Sequence, residues 1–294
     1  MQAPAKPEWL TVKPPGGTTH SNLKQLFRSL NLHTVCEEAH CPNVQECWGG
    51  GTATLMLMGD VCSRGCRFCM VTPGRPNGEL DALEPESVAF ALSQMGLKYV
   101  VLTSVDRDDL PDGGASHFAK TIRLVRQSVP EILVEVLIPD FQNDIDALRE
   151  VVEAGPDVIA HNVETTLSLT PKVRDPRAGY WQSLCVLRSV KKLNPRIRTK
   201  SSIMVGLGET EEEMLQTMRD LRLAGVDFLT VGQYLRPSSR HLEVVEYVPP
   251  ETFQKYRGMG TSLGFAYVAS GPLVRSSYRA GEFFIRSAVE SGVA

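Results

Sequence analysis

Six of the chain's seven cysteines lie between Cys36 and Cys69, in two groups of three. The second group, CSRGCRFC, sets Cys62, Cys66 and Cys69 at C-x3-C-x2-C spacing. Three thiolates on one tight loop can hold three corners of a cubic [4Fe–4S] cluster, because soft sulfur ligands select iron–sulfur or zinc centres. The fourth iron then has no protein ligand, and an open position is what a catalytic metal needs to bind substrate. Gly65 is expected to let the backbone turn, and Arg64 and Arg67 to offset part of the cluster's negative charge. The first group, CEEAHCPNVQEC, sets Cys36, Cys41 and Cys47 at C-x4-C-x5-C spacing, and it too lacks a fourth ligand. Zinc is the competing reading of both loops, with His40 or Cys185 completing the second group and His40 the first. Two three-cysteine loops in one chain favour two clusters.

Loops of this kind need a rigid frame. From Ala53 onward, short apolar runs alternate with helical patterns. Strands are predicted over 53–59, 98–104, 131–139, 157–164, 198–206 and 227–235, with helices over 84–96, 115–128, 143–154, 179–193 and 210–224. Near-continuous β-branched strands separated by helices read as βαβ units and a parallel sheet. The pattern predicts an α/β fold, a parallel (β/α)6 partial TIM barrel, with an open doubly wound sheet as the alternative. Right-handed crossovers put every strand's C-terminal end on one face, where loops would form the site. Residues 1–20 are rich in Pro and Gly and read as an extended arm. A helix is expected from Ser21, with Leu23, Leu26, Phe27 and Leu30 on one face, followed by an irregular loop from Cys36 to Gly51. The division expected is 1–52 (arm, helix and first cysteine loop), 53–235 (barrel) and 236–294 (C-terminal extension, with a helix near 250–263 and a strand over 265–270).

Composition excludes other classes. Thirty-one Lys+Arg against 34 Asp+Glu leave a formal charge of −3, without the basic excess a phosphate-gripping surface needs, so no nucleic acid is expected. No apolar run approaches the ~18–20 residues of a membrane span, so no membrane partner is expected either. The first 20 residues contain no apolar block, so the chain is expected to be cytoplasmic, where clustered thiols bind metal rather than pair.

The C-x3-C-x2-C loop after the first barrel strand, with Phe68 before its last cysteine, resembles the radical S-adenosylmethionine (SAM) superfamily. Together with the upstream triad and the C-terminal RSSY (Arg275, Ser276, Ser277, Tyr278), the chain is similar to the lipoyl synthase family. The phrases ECWGGGTATLMLMGDVC, TSVDRDDLPDGGA and HNVET extend that likeness from about Leu30 to Tyr278. The resemblance implies insertion of two sulfur atoms, at C6 and C8, into a protein-bound N6-octanoyl-lysine. It implies two [4Fe–4S] clusters and SAM as cofactors. The cluster on Cys62, Cys66 and Cys69 would cleave SAM to a hydrogen-abstracting radical. The cluster on Cys36, Cys41, Cys47 and one serine of RSSY would surrender sulfur. Ser277 is the expected ligand and Ser276 the fallback, and an ordinary turn is the competing reading of the pair. Expected partners are octanoylated lipoyl carrier domains (2-oxoacid dehydrogenase E2, glycine-cleavage H protein), a ferredoxin- or flavodoxin-type reductant, and an iron–sulfur carrier for cluster rebuilding. Rival readings are another radical SAM enzyme, such as a biotin synthase or methylthiotransferase, and a non-enzymatic iron–sulfur or zinc module.

Strand ends supply further candidates. The superfamily's GGE-type motif after the second strand is replaced by TSVDRDD, which leaves Ser104 and Asp106 to meet the SAM amino group. Asn162 and Glu164 in HNVET suit the ribose hydroxyls, or a loop-capping role. Arg174 suits the SAM carboxylate, or the surface. Gly206 and Gly208 would admit the adenine, while Thr210 with Glu213 reads as a helix capping box. Phe68 belongs with the same pocket. Arg236, Arg240, Arg275 and Arg279 form an expected docking set for an acidic carrier, although Arg275 and Arg279 could instead brace the second cluster. Cys185 is expected to be a buried small hydrophobe. None of the histidines (20, 33, 40, 117, 161 and 241) is assigned to a metal.

Overall fold

The computed structural model describes residues 6–11, 25, 27–30, 32–35 and 52–277. The first cysteine group (Cys36, Cys41, Cys47), most of the predicted helix from Ser21, and Tyr278 with Arg279 lie outside the described residues. Among the described residues, strand β1 (His33–Thr34) runs antiparallel to β2 (Thr52–Leu57) at one edge of an eight-stranded sheet. A separate pair, β3 (Val61–Cys62) and β4 (Thr72–Pro73), frames the second cysteine loop. Beyond β2 the main sheet continues in parallel through β5 (Tyr99–Ser104), β6 (Leu133–Leu137), β7 (Val158–Ala160), β8 (Arg198–Val205), β9 (Phe228–Gln233) and β10 (Tyr267–Gly271).

Spatial order follows chain order throughout, so the sheet winds in one direction. A doubly wound sheet would reverse at a switch point. Among the described residues β10 does not pair back to β2, and the barrel is open. Its six predicted strands all form. The strand expected in the C-terminal extension joins them as a seventh parallel member, Tyr267 opposite Phe228 and Gly271 opposite Gly232. The irregular stretch before the helix Pro250–Ser262 interrupts the strand–helix rhythm, so that helix and strand read as an extension and not as a further barrel unit.

Helices close the outer layer where the pattern puts them: Glu84–Met95, Ala115–Ser128, Ile145–Glu153, Tyr180–Leu193 and Glu211–Leu223. Two begin on capping side chains. Asp144 accepts from the amides of Asp146 and Ala147, and Thr210 with Glu213 forms the reciprocal capping box its spacing predicts. Apolar faces of the first three helices pack on β2, β5 and β6, while the later helices bury Leu184, Leu187, Met214, Met218 and Phe253 against β8 and β9. Nearer the N-terminal strand ends, Lys200 Nζ bonds both Glu135 oxygens at 2.7 and 3.0 Å, and Tyr99 donates to the same carboxylate at 2.8 Å. That buried pair is charge-balanced and hydrogen-bonded, as burial requires.

The helix Tyr180–Leu193 corrects one expectation. Cys185 is exposed, because Trp181, Cys185 and Arg188 share the outward stripe while Ser183, Leu184, Val186, Leu187 and Val190 face inward. Neighbouring leucines in sequence sit on the opposite helix face.

Candidate active site

A cavity of about 720 Å³ opens at the C-terminal ends of the parallel strands. Cys62, Cys66 and Cys69 line it, with Phe68, Ser104, Asp106, Asn162, Glu164 and Arg174 from the barrel loops and Ser276 and Ser277 from the far end of the chain. Its size falls within the ~300–1,000 Å³ common for small-molecule sites.

The cysteine loop is pinned on every side. The Ser63 amide donates to the Asp106 carbonyl at 2.9 Å, and Gly65 donates to Asp175 Oδ2 at 2.8 Å. The Arg67 amide reaches the Val173 carbonyl at 3.0 Å, and His241 Nε2 lies 2.9 Å from the Cys69 carbonyl. Amides also address the sulfurs themselves, Arg64 to Cys62 at 3.4 Å and Asp175 to Cys66 at 3.3 Å. Such donors would tune thiolates bound to a metal.

Two sequence readings of this loop need correction. Gly65 is not at a positive φ, and a Cβ there would meet nothing closer than 3.8 Å, so its conformation does not demand glycine. Arg64 does not offset cluster charge either. Its guanidinium is buried and forks onto Asp108 (2.8 and 2.8 Å) and Asp140 (2.7 and 2.7 Å), with Asp106 at 3.6 Å. Three carboxylates around one guanidinium leave that corner negative rather than positive. Arg67 stays exposed and donates to the Lys172 carbonyl.

Burial pushes the thiols of Cys62 and Cys66 up to about 12, and that of Cys69 upward as well. A metal must displace those protons, so cluster loading is coupled to proton release. Asp106, 3.8 Å from Cys62 Sγ, is raised by burial to about 6 despite Arg64. Glu164 is raised by burial and opposed by Arg174. It also sits at φ 66°, a left-handed conformation uncommon for a residue other than glycine.

The comparisons with known proteins bear directly on this geometry. Residues 56–221 match the model of the radical SAM superfamily, and residues 2–41 match that of the N-terminal domain of lipoyl synthase. A lipoyl synthase of Anaeromyxobacter sp. (strain Fw109-5) is 61% identical over 97% of both chains. That of Thermus thermophilus is 58% identical over 96% of this chain and 87% of its own. The human mitochondrial lipoyl synthase is 56% identical over 96% of this chain and 77% of its own. This chain belongs to the lipoyl synthase family. Solved structures agree on the fold alone: methylornithine synthase has a TM-score of 0.55 at 16% identity, covering 82% of this chain and 73% of its own.

As a lipoyl synthase family member the protein is a sulfur-inserting radical SAM enzyme, and that superfamily implies a [4Fe–4S] cluster and SAM. The donor set fits SAM. Ser104 Oγ and Arg174 Nε are both buried without a hydrogen-bond partner, and both residues line the cavity. Buried polar atoms left unpaired are costly, and a polar ligand would satisfy them. Asn162 donates to Glu164 Oε1 at 3.1 Å, which orients that carboxylate. Arg174 is buried, not on the surface.

Gly206 is not among the residues lining the cavity. Its φ is 96°, and a Cβ there would overlap Gln233 and the Glu246 carbonyl, so glycine is demanded by packing. In the docking set, Arg240 lines the cavity, Arg236 is held by the carbonyls of His241 and Ser239, and Arg275 donates to those of Gln233 and Val274. Arg275 therefore ties the C-terminal turn to the end of β9. Gly232 permits the same approach, since a Cβ there would overlap the Val274 carbonyl.

Sequence reasoning missed His161, Ser183 and His241. The first opens the HNVET phrase, but lone histidines and a helix serine carry no spacing signal. Their roles depend on partners far along the chain.

Proposed function

We propose that the enzyme converts a protein-bound octanoyl-lysine to lipoyl-lysine, with sulfur drawn from a second [4Fe–4S] cluster held by Cys36, Cys41, Cys47 and Ser277. The observation that carries this reading is a single cavity lined by Cys62, Cys66, Cys69, Ser276 and Ser277, serines over 200 positions from the cysteines in sequence. When bound, the clusters and SAM supply a hydrogen-abstracting radical and the sulfur. The chain's own residues place the reactants. Cys62, Cys66 and Cys69 would hold the cluster that takes the SAM amino acid moiety. Arg174 would meet its carboxylate, Ser104 and Asp106 its amino group, and Asn162 and Glu164 the ribose hydroxyls. Phe68 packs toward Val173, Leu207, Tyr234 and Val244, walling the site from water, which protects a radical from quenching.

A serine suits the corner that must open, because an alkoxide is harder than a thiolate and more readily protonated off iron. An octanoylated carrier domain, E2 or H protein, would dock over the mouth beside Arg240. A ferredoxin- or flavodoxin-type donor would supply electrons, and an iron–sulfur carrier would rebuild the spent cluster. Cysteines kept as ligands rather than disulfides suit a reducing, cytoplasmic compartment. Among the described residues no helix is long and apolar enough to cross a membrane.

The deciding experiment reconstitutes both clusters with heavy sulfide and incubates the enzyme with SAM, reductant and an octanoyl-lysine peptide under anaerobic conditions. A dithiolated peptide carrying heavy sulfur is expected. A dithiolated product with light sulfur would overturn the second cluster as donor.

A further inference from the structure

Arg174 is held from behind by a chain of three hydrogen bonds. His161 Nδ1 lies 2.8 Å from the Ile138 carbonyl, His161 Nε2 lies 2.8 Å from Ser183 Oγ, and Arg174 Nη1 donates to Ser183 Oγ at 2.8 Å. A second, longer bond runs from Arg174 Nη1 to the Val163 carbonyl at 3.3 Å. His161, Ser183 and Arg174 are all buried.

Chemistry fixes the direction of every proton. A carbonyl only accepts, so Nδ1 carries the ring hydrogen and Nε2 of the neutral ring accepts from the Ser183 hydroxyl. That hydroxyl, its proton committed to the imidazole, offers its lone pairs to Arg174. Burial, joined by the Arg174 charge, lowers His161 to about 4, so the ring stays neutral near pH 7. The chain of donors ends at Arg174, whose Nε is buried with no partner in a residue that lines the cavity.

We propose that His161 and Ser183 are positioning residues that hold the Arg174 guanidinium in register for the SAM carboxylate. This rests on the reading of Arg174 as the carboxylate's partner. Register matters because the adjacent residue faces the cluster loop: Asp175 donates its amide to Cys66 Sγ at 3.3 Å and accepts from Gly65 at 2.8 Å. Two successive residues thereby link the carboxylate's partner to the loop of Cys62, Cys66 and Cys69 that would hold the cluster. The anchors come from two successive βα units, Ile138 after β6 in the first, and His161 after β7 with Ser183 in the first turn of the helix Tyr180–Leu193 in the second. Side-chain motion at Arg174 is restrained by the barrel itself rather than by its own loop.

The test compares the affinity of the reconstituted enzyme for SAM and for its decarboxylated analogue, which lacks the carboxylate. Ser183→Ala should weaken SAM roughly tenfold, the scale of one hydrogen bond to a charged group, and leave the analogue within about twofold. His161→Ala should weaken SAM in the same selective way, and His161→Gln, whose amide can both donate and accept, should stay near the parent; this pair serves if Ser183→Ala does not fold. Combining Ser183→Ala with Arg174→Gln should add nothing to Arg174→Gln alone, because the serine acts through the arginine. Equal weakening of both ligands, or of neither, would overturn the relay. If Arg174→Gln itself leaves the preference for SAM over the analogue intact, the reading of Arg174 falls and takes the relay with it; if Arg174→Gln abolishes that preference but Ser183→Ala does not change it, only the relay falls.

Discussion

Cys66 and Cys41 test the division of labour between the two thiol sets, because one lines the cavity with the SAM candidates and the other belongs to the upstream group. Cys66→Ala should abolish SAM cleavage, measured as 5′-deoxyadenosine released. Cys41→Ala should keep cleavage within a few-fold of the parent while eliminating dithiolated product; equal loss of cleavage in both variants contradicts the assignment. His161 makes a pH prediction at the same scale. Its folded value near 4 lies below the usual ~6.5, so the unfolded chain binds the extra proton between those limits. Stability from this group is therefore complete above about pH 6.5 and is lost as pH falls through 4, with ~2 kcal/mol gone between pH 7 and pH 5. Urea unfolding of the parent and of His161→Gln at both pH values isolates that part, and the variant should show the shallower dependence.

At the scale of elements, the cysteine loop is anchored to its neighbours more than to itself. Arg64 ties it at once to the loops after β5 and β6 through Asp108 and Asp140, beside the Ser63 contacts to the first of them. Arg64→Met would leave the fully buried Asp140 without its counter-charge, which typically costs ~3–5 kcal/mol, while Asp108 would keep Arg177 at 3.2 Å. The expected outcome is a lower urea midpoint together with reduced iron uptake. Arg64→Lys should restore part of both, since an ammonium is a point charge and cannot fork onto two carboxylates. Unchanged iron uptake in Arg64→Met would show that the loop needs no such anchor. Strand β7 teaches a related lesson. Its run was read as 157–164, but pairing stops at Ala160, and Glu164 returns only through a single bridge to Ile203. Leaving the ladder early turns Asn162 and Glu164 toward the site. Apolar periodicity ends a strand one residue type at a time and has no term for such a departure.

The molecule as a whole brings the second cysteine loop, after the first full barrel strand, to the same cavity as a turn after the last one. Two four-iron clusters would give ~8 irons per loaded chain. Anaerobic reconstitution followed by iron analysis should approach that figure in the parent and fall to about half in a Cys36→Ala, Cys41→Ala, Cys47→Ala triple variant. A parent plateau near four would contradict the two-cluster scheme.

Much of this was legible in the chain before folding, and the reason is distance along it. Cys62, Cys66 and Cys69 lie within eight residues of one another, so their spacing is a local property that survives in any fold, as is the Thr210–Glu213 cap. Strand and helix periods are local as well, which is why all seven parallel strands and their helices could be placed, although the last strand was read as part of an extension and not of the barrel. Partner choice is another matter. Arg64 was read by its charge as offsetting the negative charge of the cluster and proved to belong to Asp108 and Asp140, 44 and 76 positions away. Cys185 was read as buried from its apolar neighbours, yet helix phase turned it outward. The convergence of residues near 62, 104, 164, 174 and 277 on one cavity, and the His161–Ser183–Arg174 chain, exist only once the open barrel has wound its strand ends to a common face, because hydrogen bonds and ion pairs are made between neighbours in space.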